Sequence, residues 1–365
     1  MIRLVCDICG KKYKYPEGLT DHSHPEFDIG GVPVNIWTLE YDLKFKGDLS
    51  DLAPFGYGSK QYDVGNTPLN RTYFMGARSF NVYIKDESVN PTGSFKDRGF
   101  PFLLYDAKKS LKLKVAIPST GNAAISLVYF SRFYQIEPIV FIPETTEKSK
   151  KRLLKEKAEV IEDKDLVRSY EHFINYCRRN PSIYNGLPVS NLSYLQGIKS
   201  ISFEIFKQLG RAPDWVIIPC GSGANIVGQY EGFRNLFEIG LIKKIPRLVP
   251  VQILGADPIT VGFTKKNFSK VMVLKNPTFS RAKAIASDTC FNYFKIMKIL
   301  RATNSLPVSV TDLEIEKYAK IYPGYEFSSL SVFAALEKIK TKIDKNETVV
   351  LVVTAINRDN VGKNN

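Results

Sequence analysis

From about residue 80 onward the chain alternates short β-branched runs with longer helix-like segments, and this alternation constrains the fold most strongly. The strand-like runs are "LKVAIP", "EPIVFIP", "DWVIIP", "RLVPVQIL" and "ETVVLVVT". Between them lie segments that read as helices, "AAISLVYFSRFYQ", "TEKSKKRLLKEKAEV" and "NIVGQYEGFRNLFEIG". Such alternation predicts an α/β fold in which helices cover a parallel sheet.

Length and composition predict a cytoplasmic globular protein. A chain of 365 residues has room for two compact units around one large cleft. No apolar run is long enough to span a membrane, and the first residues lack the apolar core of a signal peptide. The five cysteines are thinly spread, which argues against a disulfide framework.

The net charge of +14 raises the question of a nucleic-acid partner. The lysines are scattered, and the densest run, "EKSKKRLLKEKAEVIED", mixes in acids at the spacing of a solvated helix. No nucleic-acid-binding motif accompanies it. We therefore expect neither a nucleic-acid nor a membrane partner, and a basic surface would attract anionic substrates.

One stretch concentrates unusual residues around a single lysine. The segment "NPTGSFKDRG", Asn90 to Gly99, follows the strand-like "FNVYIKDE" and precedes the helix-like "FPFLLYDAKKSLK". Lys96 is therefore expected where a loop turns into a helix, on the floor of the cleft that the loop borders.

Two further loops also join a strand to a helix. They are "PSTGNAA", Pro118 to Ala124, and "PCGSGAN", Pro219 to Asn225. In open α/β sheets ligands bind outside the carboxyl ends of the strands, and small residues before a helix let its N–H groups approach an anion. The second loop is thus a candidate phosphate cup, although it matches neither the Rossmann nor the Walker pattern. Taken singly, each loop could also be a purely structural turn.

Together the three loops resemble those of fold type II pyridoxal-phosphate-dependent enzymes, most closely threonine synthases. The resemblance runs from "GNTPLN", which begins at Gly65, to the final strand. It implies two three-layer open-sheet domains with the cofactor between them, and a homodimer. The implied division is an N-terminal ribbon-like extension (1–45), a large cofactor-binding domain (46–105 and 206–365) and a small mobile domain (106–205).

The resemblance also implies roles for individual residues. Lys96 would form the Schiff base with pyridoxal 5'-phosphate and later move protons, which requires a lowered pKa. Thr354 would meet the pyridine nitrogen through a neutral hydroxyl, which makes the ring a milder electron sink than a carboxylate partner would. Ser119, Thr120 and Asn122 would hold the substrate carboxylate and the cofactor ring hydroxyl. The cofactor phosphate would be bound by Gly221, Ser222, Gly223, Ala224 and Asn225.

The segment "NLSYLQGIKS", Asn191 to Ser200, departs from the threonine synthase pattern. Asn191 and Lys199 are kept and are predicted to contact substrate. Tyr194 stands where an arginine is expected, and Pro188 stands near an expected asparagine. A tyrosine can offer a phosphate one neutral hydrogen bond but not a bidentate charged pair. The segment after Thr354, "AINRDN", departs as well.

The implied activity is that of a carbon–oxygen lyase that converts O-phospho-L-homoserine and water into L-threonine and phosphate. The departures leave two alternatives open. One is a related β-replacement or β-elimination enzyme, similar to O-phosphoserine, cysteate or cysteine synthases or to serine/threonine deaminases. The other is a non-catalytic paralogue, against which the retention of Lys96 and Thr354 counts.

The N-terminal extension carries a possible metal site. Cys6 and Cys9 in "CDIC" have the spacing of a zinc knuckle, and "DHSH" supplies His22 and His24. These four residues would form a structural Cys2His2 zinc site. Alternatively they are the remnant of a ribbon without metal, which the short His-x-His spacing favours.

Overall fold

The structure is a computed structural model that describes residues 2–15, 22–28, 34–43, 45–52, 62–74, 80–146 and 148–358. Its contacts divide the chain into two units, the first within 1–64 and 96–197 and the second within 65–95 and 198–365. This division differs from the predicted one, because residues 46–64 and 96–105 fall with the first unit and residues 198–205 fall with the second.

Strands and helices alternate along most of the described chain. The strands are β1 (Ile2–Cys6), β2 (Lys12–Lys14), β3 (Trp37–Tyr41), β4 (Leu69–Thr72), β5 (Asn81–Asp86), β6 (Lys114–Pro118), β7 (Glu137–Pro143), β8 (Glu159–Asp163), β9 (Ile183–Asn185), β10 (Trp215–Pro219), β11 (Arg247–Ile253), β12 (Val308–Val310) and β13 (Thr348–Val353). The helices are α1 (Phe100–Lys109), α2 (Asn122–Tyr134), α3 (Lys148–Lys155), α4 (Leu166–Arg179), α5 (Leu192–Ile198), α6 (Ser200–Leu209), α7 (Ala224–Glu238), α8 (Pro258–Thr264), α9 (Tyr293–Ala302), α10 (Asp312–Ala319) and α11 (Ser331–Ile339).

The first unit contains two sheets. The N-terminal residues form a small antiparallel sheet of order β2-β1-β3, in which Cys6 lies opposite Trp37. The second sheet is parallel, with the order β8-β7-β6-β9. Its central strands β6 and β7 are almost wholly apolar and buried because helices cover a parallel sheet on its faces.

Strand β8 of this sheet shows that one prediction from the sequence was wrong. The run that includes Glu159 to Asp163 was predicted to continue a solvated helix, but α3 ends at Lys155 and β8 follows. Strand β8 pairs with β7 at the edge of the sheet. None of its residues is fully buried, and its three acidic residues suit an edge strand, where charge discourages pairing with another chain.

The second unit is built on a sheet of order β12-β11-β10-β13-β5-β4. All neighbouring strands are parallel except β4, which runs antiparallel to β5 at the edge. The core of the unit includes Trp215, Val249, Leu351 and Phe333, each with at most 1% of its surface exposed. The predicted α/β fold is thereby confirmed. None of the described helices is both long and apolar enough to cross a membrane.

Candidate active site

Lys96 lies in a 3-10 turn, Phe95–Arg98, directly before α1. The residues that precede it are tied to the end of β13. The Phe95 N–H donates to the Thr354 carbonyl oxygen at 2.9 Å, and Ser94 forms a bridge with Ala355. The two residues just before Lys96 in the chain are therefore paired, through their backbones, with Thr354 and Ala355. The Lys96 side chain itself is half-buried.

Asn90, the first residue of the lysine motif, belongs to a buried polar network that fixes the loop before Lys96. The Asn90 side chain accepts from the Gly65 N–H at 3.1 Å and donates to Glu87 at 2.9 Å. Glu87 also accepts from the Thr67 hydroxyl at 2.7 Å. Asn90 and Glu87 are almost fully buried, so these bonds fix the loop rather than face solvent. The network links the motifs "GNTPLN" and "NPTG".

The turn after Lys96 is packed without spare room against α5. A methyl group at Gly99 would lie 2.3 Å from the Tyr194 ring, and one at Gly197 would lie 1.9 Å from the Arg98 carbonyl oxygen. Asp97 is fully buried and accepts from the Ser126 hydroxyl at 2.6 Å. These close approaches leave little freedom to the backbone on which Lys96 is mounted.

Tyr194 is buried inside the first unit. Its ring packs edge-on against Phe100 at 5.3 Å between centroids, and its exposed fraction is 0%. No described residue makes a hydrogen bond with its hydroxyl. Burial, with a contribution from Asp97, raises the pKa of Tyr194 well above its usual value. In this arrangement the residue that replaces the expected arginine acts as a packing residue for the turn after Lys96.

Because its hydroxyl is buried without a described partner, Tyr194→Phe is expected to leave stability unchanged or to raise it by up to about 1 kcal/mol. Tyr194→Arg would bury a charge and is expected to cost at least about 3 kcal/mol. Urea unfolding of the two variants and the parent chain measures both effects. A raised KM with unchanged stability in Tyr194→Phe would instead show that the hydroxyl contacts substrate.

The loop from Gly221 to Asn225 forms a cradle at the start of α7. A methyl group at Gly221 would lie 2.2 Å from the Ala284 carbonyl oxygen, and Gly223 has a φ of +89°. Helix α7 begins without a side-chain cap among the described residues, so its first N–H groups have no partner within the helix. Asn292 donates to the Ser222 carbonyl oxygen at 2.8 Å and thereby holds the loop.

A buried donor in this loop fits an anion. Asn225 is 4% exposed, and its Oδ1 accepts from Gln229 Nε2 at 2.8 Å. No described residue offers an acceptor to its Nδ2. Leaving a buried N–H group unsatisfied is costly, and an anion at the helix start would remove that cost. The donor set therefore fits the phosphate of pyridoxal phosphate, with α7 as the supporting helix.

Thr354 is held so that its hydroxyl can donate outward. Ser329 Oγ accepts from the N–H groups of Thr354 at 3.1 Å and Ala355 at 3.0 Å. Because its lone pairs are then used, the Ser329 hydroxyl donates, and the acceptors beside it are Thr354 Oγ1 at 2.9 Å and the Ala355 carbonyl oxygen at 3.4 Å. With both Ser329 lone pairs taken by N–H groups, the Thr354 hydroxyl keeps its own proton for another acceptor. An unprotonated pyridine nitrogen is such an acceptor.

Ser329→Ala would leave two buried N–H groups without their acceptor. We expect the unfolding free energy to fall by about 1–3 kcal/mol for this reason. Ser331→Ala is the matched control, because that buried hydroxyl only donates to the Ser328 carbonyl oxygen. Equal losses in urea unfolding of the two variants would contradict the account.

The "STGN" loop precedes α2 in the first unit. Ser119 Oγ accepts from the Gly121 N–H at 3.3 Å, and α2 begins at Asn122 without a side-chain cap among the described residues. Ser119, Thr120 and Asn122 are all half-buried. The N–H groups at a helix start suit a carboxylate. Their role toward substrate and cofactor stays a prediction.

The two predicted substrate residues of the departing segment have internal partners. Asn191 accepts from the Tyr194 N–H at 2.8 Å and donates to the Tyr184 hydroxyl at 3.0 Å, so it caps α5. Lys199 is 1% exposed and donates to Asn235 at 3.1 Å. Burial lowers the pKa of Lys199 to about 7. These positions are those of structural residues, and contact with substrate stays a prediction for both.

The depressed pKa of Lys199 predicts a pH-dependent stability. Between its folded pKa of about 7 and its usual value of 10.5 the unfolded chain binds more protons, so stability rises with pH. Lys199→Met removes the cost of burying the amine. It is expected to raise the free energy of unfolding at pH 7 by roughly a few kcal/mol. The gain should shrink toward pH 10. Urea unfolding across this range tests it, with the exposed Lys207→Met as control. A pH-independent effect would contradict it.

Comparison with known proteins matches residues 60–355 to the family model described as pyridoxal-phosphate-dependent enzyme. The chain belongs to this family. It is 31% identical to a threonine synthase of Methanocaldococcus jannaschii over 80% of this chain and 74% of that protein. It is 28% identical to a threonine synthase of Methanosarcina acetivorans over 97% of this chain and 91% of that protein.

A solved structure supports the fold. Threonine deaminase isoform 2 from Solanum lycopersicum, in its processed form, superposes with a TM-score of 0.66 at 20% identity, covering 81% of this chain and 80% of that one. The family is one of enzymes, and the predicted pyridoxal-phosphate-dependent lyase class is confirmed. Membership of this family identifies the cofactor as pyridoxal phosphate, whose phosphate fits the cradle at α7.

Sequence reasoning missed the residues that hold the site together. Ser329 and Ser126 were given no role, and nothing in their spacing marks them, because each meets its partner through tertiary packing. Asn90 lay inside the quoted lysine motif, but its bonds to Gly65 and Glu87 required the fold. The metal residues predicted in the N-terminal extension, Cys6, Cys9, His22 and His24, are brought together in the small sheet.

Proposed function

We propose that this enzyme is a threonine synthase, which converts O-phospho-L-homoserine and water into L-threonine and phosphate. The observation that carries the cofactor assignment is the cradle at α7, with its free helix start and the buried Asn225 donor. Similarity to threonine synthases over most of their length supports the choice of reaction. The phosphorylated substrate suits the net charge of +14.

The residues divide the chemical work between them. When bound, pyridoxal phosphate withdraws electrons from the substrate α-carbon. Lys96 holds the cofactor, and its amine, once released, removes the α-proton and then a β-proton, and returns protons to the γ- and α-carbons. Ser119, Thr120 and Asn122 bind and orient the substrate carboxylate. Phosphate leaves the γ-carbon and water adds at the β-carbon.

The cofactor contacts at the two ends of the ring are also part of the proposal. The N–H groups of Gly221 to Asn225 bind the phosphate, and the Thr354 hydroxyl donates to the ring nitrogen. Since Ser329 Oγ already accepts from two N–H groups, the Thr354 hydroxyl is available as a donor, and the nitrogen would meet that donor rather than a carboxylate and would stay unprotonated.

Tyr194 favours a second candidate reaction. A buried tyrosine cannot supply the charge with which an arginine grips a substrate phosphate. If no other cation compensates, the substrate would lose a substituent from its β-carbon, as in β-replacement or β-elimination. O-phosphoserine, serine and threonine are the substrates to compare.

The test is a substrate comparison with the purified, cofactor-loaded enzyme. We expect turnover of O-phospho-L-homoserine with release of phosphate, and slower 2-oxo acid formation from serine and threonine. Preferred turnover of O-phosphoserine or serine would replace the proposal with the second reaction. The Lys96→Ala variant, assayed in parallel, excludes contaminating activities. Homodimeric assembly and a cytoplasmic location are retained as proposals, on the resemblance and the sequence alone.

A further inference from the structure

Four side chains that can ligate a metal converge in the N-terminal sheet, outside the proposed active site. The ligand atoms of Cys6, Cys9, His22 and His24 all lie within 4.8 Å of one another. In the described part of the chain this is the one group of three or more histidine, cysteine and acidic side chains close enough to share an ion. The four come from two segments that are separate in the sequence.

The cysteine half has the backbone geometry of a metal-binding turn. Cys6 ends β1, and the Gly10 N–H donates to the Cys6 carbonyl oxygen at 2.9 Å. Gly10 has a φ of +74°, which favours glycine and closes the turn. The Cys6 N–H donates to the Lys11 carbonyl oxygen at 2.9 Å, so backbone bonds fix both ends of the turn that carries the two sulfurs.

The histidine half is oriented by its neighbours. His24 Nδ1 lies 2.8 Å from Glu26 Oε1, which assigns Nε2 as its ligating nitrogen. His22 Nε2 lies 3.3 Å from the Cys9 sulfur. The two histidines precede the 3-10 turn Pro25–Phe27, and His24 has φ −129° and ψ 73°, outside the helical region. The short His-x-His spacing is therefore compatible with one shared ion.

Distances and surroundings fit a closed tetrahedral site. With metal–ligand bonds of about 2.0–2.3 Å, the edges of a tetrahedron are about 3.3–3.8 Å long. The observed limit of 4.8 Å thus requires that the distance between two ligand atoms shorten by about 1.5 Å at most. The His22 ring packs against Trp37 at 5.5 Å and Tyr13 at 5.4 Å, on the two outer strands of the sheet.

The sheet that carries the cluster has little core of its own. Its strands are 5, 3 and 5 residues long, and the buried apolar side chains on them are Leu4, Cys6, Trp37 and Leu39. Units of this size are stabilised in many proteins by a metal ion. We propose that Cys6, Cys9, His22 and His24 bind one structural zinc ion. Thiolate and imidazole ligands in a tetrahedron select zinc, and four protein ligands leave no open position for catalysis.

Metal analysis of the full-length holoenzyme tests the site. After dialysis against a weak chelator we expect about one zinc per chain, and almost none in Cys9→Ser or His22→Ala. Cys177→Ser and His172→Ala are the matched controls, because both residues lie outside the cluster, and they should keep the ion. Bound pyridoxal phosphate in every variant reports whether the remainder of the chain is folded. A zinc content that Cys9→Ser leaves unchanged overturns the proposal.

Cobalt substitution gives a second readout that needs no variant to fold. Replacing the bound ion of the parent chain with Co²⁺ should produce the visible bands of a tetrahedral site and thiolate-to-cobalt charge transfer. His22→Cys, which adds a thiolate ligand, should strengthen the charge-transfer absorption. Octahedral bands without charge transfer would show that the cysteines do not ligate the ion and would overturn the site. Neither result depends on which substrate the enzyme turns over.

Discussion

Replacing Lys96 with alanine is expected to lower turnover by at least about 10³-fold, because the variant loses both the covalent hold on the cofactor and the proton carrier. The cofactor would still bind through the cradle at α7, so the variant separates binding from chemistry. Treatment of the parent holoenzyme with borohydride, followed by peptide mapping, should place the cofactor label on the peptide that contains Lys96. The Lys96→Ala variant should carry no label at another lysine.

The control for this experiment is Lys109→Ala, which removes an exposed lysine at the C-terminal end of α1. It should keep full activity and labelling. The assignment of Lys96 is contradicted if the label appears on a different peptide of the parent chain. Retention of turnover by Lys96→Ala would contradict it as well.

Gly221→Ala is expected to weaken cofactor binding about tenfold to a hundredfold. Its methyl group would lie 2.2 Å from the Ala284 carbonyl oxygen, which is a backbone atom and cannot turn aside. The loop must then shift, and overpacking of this kind costs about 1–3 kcal/mol. Part of that strain would misalign the N–H groups at the start of α7 and so weaken their bonds to the phosphate. Each 1.4 kcal/mol lost in this way lowers the affinity for the cofactor about tenfold.

The measurement is a titration of the apoenzyme with pyridoxal phosphate. Gly324→Ala is the matched control, because a methyl group there meets nothing within 4 Å and the residue has no positive φ. It should bind the cofactor as the parent chain does. Equal affinities for Gly221→Ala and Gly324→Ala would show that the cradle does not hold the phosphate.

Much of the fold could be predicted because it is encoded locally. Strands β6, β7, β10 and β13 read directly as β-branched runs, since buried parallel strands are apolar along their whole length. The loops at their carboxyl ends could be located for the same reason. Strand β8 could not, because its charged edge-strand sequence lies next to a charged helix and shares its composition.

The candidate site was predictable where a motif carries the chemistry and unpredictable where packing does. Lys96, Gly223 and Thr354 stand in motifs, whereas the hydrogen bond between the Ser329 and Thr354 hydroxyls joins residues that are 25 positions apart. The burial of Tyr194 against Gly99 could not be predicted from the sequence either, although it decides what Tyr194 can do for a substrate. Lys199 looked like a substrate cation in the sequence, and only the packing of α6 and α7 shows its amine bonded to Asn235.

The most direct test of the central claim follows O-phospho-L-homoserine turnover in water labelled with heavy oxygen. A threonine synthase breaks the bond between the γ-carbon and oxygen and adds water at the β-carbon. Threonine and phosphate should therefore appear in equal amounts, with the label in the threonine hydroxyl and none in the phosphate. Labelled phosphate with homoserine as the product would mean simple phosphate-ester hydrolysis, and would contradict the proposed function.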